Sequence, residues 1–148
     1  MQFEKPSLRI GCGSFLVDKL QGLKNIDVLE AGKVYNYGSF QVSPVNLYHD
    51  VENFGYRLFT GDVKIIHCTD TVTLEGIMAK GYDYYCLESN FDEETIIDRI
   101  NEKRLRGEFA HEIGAMNSHL SFQKCNDFFY QNKGENSQLI RLHESKSF

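Results

Sequence analysis

Apolar and polar residues change their rhythm along this chain. Between Lys33 and Tyr48, Val34, Tyr35 and Tyr37 and then Phe40, Val42, Val45 and Leu47 flank Gly38-Ser39, which predicts two strands joined by a tight turn. Pro44 has no backbone N–H to give to a neighbour, so the second strand is expected at an edge or with irregular pairing. Phe54 to Thr60 and Val63 to Cys68 predict a further pair across Gly61-Asp62, and Tyr82 to Leu87 predicts a short strand. Beyond Asn90 the period lengthens. Ile96, Ile97, Ile100 and Leu105 recur at helical spacing behind the capping sequence Asn90-Phe91-Asp92-Glu93, predicting a helix of about four turns. A second helix is expected from Ser121, with Phe122, Cys125, Phe128 and Phe129 on one side and a stop near Lys133-Gly134; Gln138 to Leu142 then predicts a closing strand. The start of the chain is weakly patterned through Gly11-Cys12-Gly13, after which Phe15, Leu16, Leu20 and Leu23 suggest a short helix. Strands, then helices returning to a strand, describe an α+β fold with helices over one face of a mixed sheet.

The 148 residues suffice for one domain with its own core, and neither a linker nor an internal repeat divides them, so a single domain over 1–148 is expected. Eleven phenylalanines and eight tyrosines, without tryptophan, predict an aromatic core. A formal charge of -5 opposes broad nucleic-acid binding, and the basic cluster Lys103, Arg104, Arg106 reads as a solvated helix face. The four cysteines form no C-x-x-C pair, no signal peptide is evident, and no apolar run approaches the roughly 18 residues of a membrane span. A cytoplasmic protein with reduced thiols and no membrane partner is expected.

Five histidines stand at positions 49, 67, 111, 119 and 143. His49 with Asp50 follows a predicted strand, Asp70 lies just past Ile65-Ile66, and His143 ends Leu139-Ile140-Arg141-Leu142. Strand ends are where sheet-based folds gather ligands, and imidazole nitrogen with carboxylate oxygen suits zinc-type or manganese-type ions. Hydrogen-bonded rim residues would show the same pattern. A His-Asp pair also serves helical HD-type phosphohydrolases, but the flanks here are strand-like. His67 reads as a strand residue and His111 as exposed.

The runs His49-Asp50-Val51-Glu52-Asn53-Phe54-Gly55-Tyr56, Ile65-Ile66-His67-Cys68-Thr69-Asp70-Thr71, Leu87-Glu88-Ser89-Asn90-Phe91, Asn117-Ser118-His119-Leu120-Ser121 and Leu142-His143-Glu144-Ser145 occur in an order that resembles the C-terminal half of phage and bacterial metallo-β-lactamase-fold proteins. The resemblance runs from about residue 28 to the end. It implies a truncated αββα-type fold, with His49 on a first metal ion, Asp70 bridging two ions and His143 on the second. Glu88 to Phe91 resembles the Glu-Ala-Thr-Phe segment of RNase Z-like members. His119 resembles the histidine of their His-Ser-Thr motif, which implies a catalytic proton donor.

The H-x-H-x-D-H segment that anchors the metals in that superfamily is absent. Without it each ion keeps one histidine and a share of Asp70, fewer than the roughly three protein ligands of a catalytic zinc. Three accounts fit. Met1 is an internal start of a split gene whose other half is a separate chain; or the chain is a degenerate relative that binds without chemistry; or substitute ligands such as Asp50, Glu88 or Glu144, or residues of a second copy, rebuild a site. The resemblance implies a zinc- or manganese-dependent hydrolase of phosphodiesterase or nuclease type, similar to phage cyclic-nucleotide phosphodiesterases directed against Pycsar defence. Such an enzyme would be inactive alone and would load a metal only when completed, and otherwise hold none. The alternative is a phage-derived binding module that sequesters a nucleotide signal or contacts a host protein. Half a fold leaves a sheet edge unpaired, so a homo-oligomer or a complementing chain is the expected partner.

Overall fold

The computed structural model describes residues 8–145. Met1, on which the split-gene account turns, lies outside them. Six strands form one sheet in the order β3 (Tyr35–Asn36), β4 (Gln41–Asn46), β5 (Phe54–Thr60), β6 (Val63–Cys68), β7 (Tyr84–Glu88), β8 (Gln138–Leu142). The hairpins β3–β4, β4–β5 and β5–β6 pair antiparallel, whereas β6–β7 and β7–β8 are parallel. The mixed α+β sheet matches the pattern of the sequence. It follows that β4, β6, β7 and β8 all run in one direction and open their C-terminal ends on a single rim.

Pro44 sits in β4 opposite Tyr56. Because β3 pairs only with Gln41 and Val42, the strand is an edge where Pro44 falls, and no ladder N–H is lost there. The Pro44 carbonyl still accepts from the Gly32 N–H at 2.9 Å.

Between β7 and β8 the chain crosses through α1 (Glu93–Leu105), α2 (Glu112–Ser118) and α3 (Phe122–Asn132). Asp92 caps α1 by accepting the Thr95 N–H, and that bond, with one from Gln123, holds its carboxyl below the ordinary range. Ser121 caps α3 through the Lys124 N–H. Cys125, Phe128 and Phe129 of α3 pack with Leu120 on Ile66 and Cys68 of β6 and Tyr85 and Leu87 of β7, a continuous buried cluster. Tyr85 is fully buried and meets the Phe129 ring edge-on at 5.3 Å between centroids. Ile96 and Ile100 of α1 form a smaller core with Phe91 and Ala110.

Three elements were not anticipated. A parallel pair of short strands, β1 (Ile10–Gly13) and β2 (Ile26–Leu29), is linked by a short 3₁₀ helix, Ser14–Leu20, where a helix was expected. The third is α2. All four cysteines are free thiols; Cys12, Cys68 and Cys125 are buried, and burial pushes Cys68 up to about 12. No helix among the described residues is long and apolar enough to cross a membrane.

Gly55 shows how tightly β5 is held. A Cβ there would lie 2.8 Å from Cys68 Sγ, 2.9 Å from the His67 carbonyl oxygen and 3.1 Å from Val45 Cγ2. Because one of these atoms is backbone, Gly55→Ala is expected to destabilise by about 1–3 kcal/mol in urea unfolding. A variant as stable as its parent would show that β5 and β6 can move apart.

Candidate metal centre

The common direction of β4, β6, β7 and β8 puts four chemically useful residues on one rim. His49 follows β4 by three positions, Asp70 follows β6 by two, Glu88 is the last residue of β7, and His143 is the first after β8. His119, between α2 and α3, reaches the same place from the helical layer. Asp70, Glu88, His119 and His143 offer ligand atoms that all lie within 4.8 Å of one another.

Glu88 is the hub. It is fully buried. Its Oε2 accepts the backbone N–H groups of Thr71 at 3.0 Å and Leu120 at 3.3 Å. Its Oε1 stands 2.7 Å from His119 Nδ1 and 2.9 Å from His143 Nδ1. Its two oxygens thus join two backbone donors on one side to two imidazoles on the other. Asp70 Oδ1 faces the same two imidazoles at longer range, 3.1 Å from His143 and 3.6 Å from His119.

These distances separate two roles. Donor atoms at roughly 2.0–2.2 Å from one tetrahedral ion lie about 3.3–3.6 Å apart. The Asp70 contacts bracket that spacing, while the Glu88–His119 contact has the length of a charge-assisted hydrogen bond. Asp70 therefore has the spacing of a ligand beside either imidazole, 3.1 Å from His143 and 3.6 Å from His119, whereas Glu88, 2.9 and 2.7 Å from the same two nitrogens, has that of an orienting carboxylate.

His49 adds the clearest sign. Its ring is 14% exposed and meets His119 edge-on at 5.6 Å. Nδ1 is engaged by Asp50 and lies 3.5 Å from the Val51 N–H. Nδ1 thus faces a carboxylate and a backbone donor together. Nε2 is buried with no hydrogen-bond partner among the described residues. A buried imidazole nitrogen without a partner costs free energy, and a carboxylate on the other nitrogen is the usual companion of a metal-bound histidine. With nitrogen and oxygen donors, the residues present fit a zinc- or manganese-type ion.

All four residues singled out by sequence, His49, Asp70, His119 and His143, are thus brought to this rim. Of the candidate substitute ligands, Glu88 enters the cluster, exposed Asp50 contacts His49, and Glu144 lies beside Ser145 in a shallow cleft next to the cluster. His67 points into a cavity of about 700 Å³ beside Tyr56 and Leu58, and exposed His111 stacks edge-on against Phe109 at 4.8 Å. Sequence reasoning missed Asn53 and Asn90, whose amides hold the loops around the site.

No family model and no curated protein sequence matches the chain at a significant level. Solved structures do. The metallo-β-lactamase fold protein YhfI from Bacillus subtilis superposes over 97% of this chain and 56% of its own, with a TM-score of 0.72 and 14% identity. A diphosphatase of the PhnP family covers 98% of this chain and 51% of its own, TM-score 0.61, at 13% identity. Zinc-bound PqqB from Methylobacterium extorquens covers 93% and 54%, TM-score 0.60, at 8% identity. The chain has the metallo-β-lactamase fold. It spans about half the length of these relatives.

Proposed function

We propose that this chain is the scaffold of a metal-dependent hydrolase for phosphodiester-type substrates, in which His49, Asp70 and His143 hold a zinc or manganese ion. The observation that carries the reading is the partnerless buried Nε2 of His49, whose ring packs edge-on against His119 of the cluster. Bound there, the ion would polarise a phosphoryl oxygen and acidify a water. The chain's own residues supply the rest. Glu88 fixes His119 through Nδ1, which leaves Nε2 as the nitrogen that passes a proton to a leaving oxygen. Asp50 plays the matching part for His49 by orienting its ring through Nδ1, so that Nε2 is the nitrogen turned to the ion. A diphosphatase and a zinc-bound protein among the structural relatives support the choice of chemistry.

Three protein ligands suffice for one ion but not for the paired ions that clamp a phosphate, so turnover is expected to require further ligands from a second polypeptide segment. Among the described residues β8 pairs with β7 alone, which leaves such a segment a free edge to join. Light scattering is expected to give a mass above 17.1 kDa for the purified chain; a clean monomer would argue against self-association.

The decisive test is metal analysis of the purified chain together with hydrolysis of bis(p-nitrophenyl) phosphate, using His49→Ala and Asp70→Ala as controls. Stoichiometric metal, lost in both variants, is the expected result. No bound ion with zinc or manganese added in excess would overturn the reading. Metal without turnover in any oligomeric form would favour a module that binds a nucleotide signal without cleaving it.

A further inference from the structure

Among the described residues, three that are not glycine hold a positive φ: Asn25 at 56°, Asp70 at 58° and His143 at 54°. Two of the three carry the side chains that meet at 3.1 Å in the candidate metal centre. The left-handed region is uncommon for any residue with a Cβ, and such conformations persist where their surroundings over-determine them. Here the surroundings are specific. The Asn53 side-chain amide donates to the carbonyl of Thr69 at 3.0 Å and to that of Asp70 at 2.9 Å. The Asn90 amide donates to the carbonyl of His143 at 3.0 Å.

Both asparagines are themselves tied down. The Asn53 carbonyl accepts the Leu47 N–H at 3.1 Å, linking it to the segment between β4 and His49. The Asn90 N–H donates to the Leu120 carbonyl at 2.8 Å, and its carbonyl accepts from Ser145 at 3.2 Å. Asn90 thus ties the segments that carry Glu88, His119 and His143. A chain that leaves a strand in the left-handed conformation turns its carbonyl out of the ladder, and that carbonyl needs a new donor. An asparagine amide supplies one without adding charge beside the carboxylates.

We infer that Asn53 and Asn90 are positioning residues that lock the backbones of Asp70 and His143 so that one carboxylate oxygen and one imidazole nitrogen converge. Neither amide contacts the convergent atoms; each acts through the carbonyl of the residue it holds. The inference rests on the cation reading above, and its test separates the two.

The zinc-free parent, Asn53→Ala, Asn53→Asp and Asn90→Ala are compared by the amide and Cα resonances of Asp70 and His143, and then titrated with zinc alone by calorimetry. The expected result is a displaced Asp70 signal in both Asn53 variants, a displaced His143 signal in Asn90→Ala, and zinc affinity lower by about 10- to 100-fold in each. Asn53→Asp keeps the shape but turns an acceptor toward two carbonyls, so it should bind no better than Asn53→Ala. A role in filling space alone would leave it close to the parent. Unmoved resonances overturn the inference whether or not zinc binds, as does parental affinity in all three variants. Moved resonances in a parent that binds no zinc would remove the cation reading and leave the two clamps standing. Should the Asn53 variants fail to fold, Asn90→Ala decides alone.

Discussion

Glu88→Ala is expected to be among the most damaging single substitutions in the molecule, costing about 2–6 kcal/mol of stability at roughly 1–3 kcal/mol for each of two stranded backbone donors. The loss comes from what the carboxylate leaves behind. The Thr71 and Leu120 N–H groups would be stranded without an acceptor, and two imidazoles would lose the oxygen they share. Leu120 is itself fully buried, so water cannot easily take the acceptor's place. Glu88→Gln keeps one carbonyl oxygen for the backbone donors and is expected to lose much less. Urea unfolding of the two variants measures both. If Glu88→Ala fell by less than about 1 kcal/mol, typical of a single hydrogen bond, the hub would be ornamental.

The second large effect separates holding an ion from using it. In whatever assembly turns over, His119→Ala is expected to lower kcat by about 10²- to 10⁴-fold, the usual worth of a positioned proton donor. Zinc affinity should stay near that of the parent, because His119 Nδ1 stands 0.9 Å nearer to Glu88 than to Asp70, 2.7 against 3.6 Å, whereas His143 Nδ1 is nearly equidistant from the two at 2.9 and 3.1 Å. His143→Ala should do the reverse and lose the ion. Calorimetric titration beside steady-state kinetics reads both. Equal loss of zinc affinity in the two variants would make His119 a ligand and dismiss it as the proton donor.

The hairpin β5–β6 was legible to the residue, because alternation and the Gly61-Asp62 turn both act locally. The caps Asp92 and Ser121 were legible for the same reason: their side chains bond to backbone three residues away. β1 and β2 were not. Each is only four residues, and their parallel pairing across a short helix leaves no turn to read. α2 also escaped, since Gly114, Asn117 and Ser118 are weak helix formers and the helix gains from packing Ala115 and Met116 against the smaller core. Tyr82 and Asp83 looked like the start of β7, but Asp83 accepts the Lys64 N–H instead.

At the site, residue type and position at strand ends were enough to single out His49, Asp70 and His143. Nothing in the sequence showed that Glu88 would sit between two imidazoles, since that follows from β7 lying between β6 and β8. Asn53 and Asn90 were invisible for another reason. An asparagine in a loop is the commonest of turn signals, and only the direction of its amide tells a clamp from a turn.

The placement of β8 has one more consequence. Among the described residues it pairs on one side only, with β7, and His143 follows directly on its last residue. Fraying of this strand and release of His143 are therefore one event, and an ion that holds His143 must slow the fraying by mass action. Hydrogen exchange of the β8 amides then becomes a local gauge of occupancy.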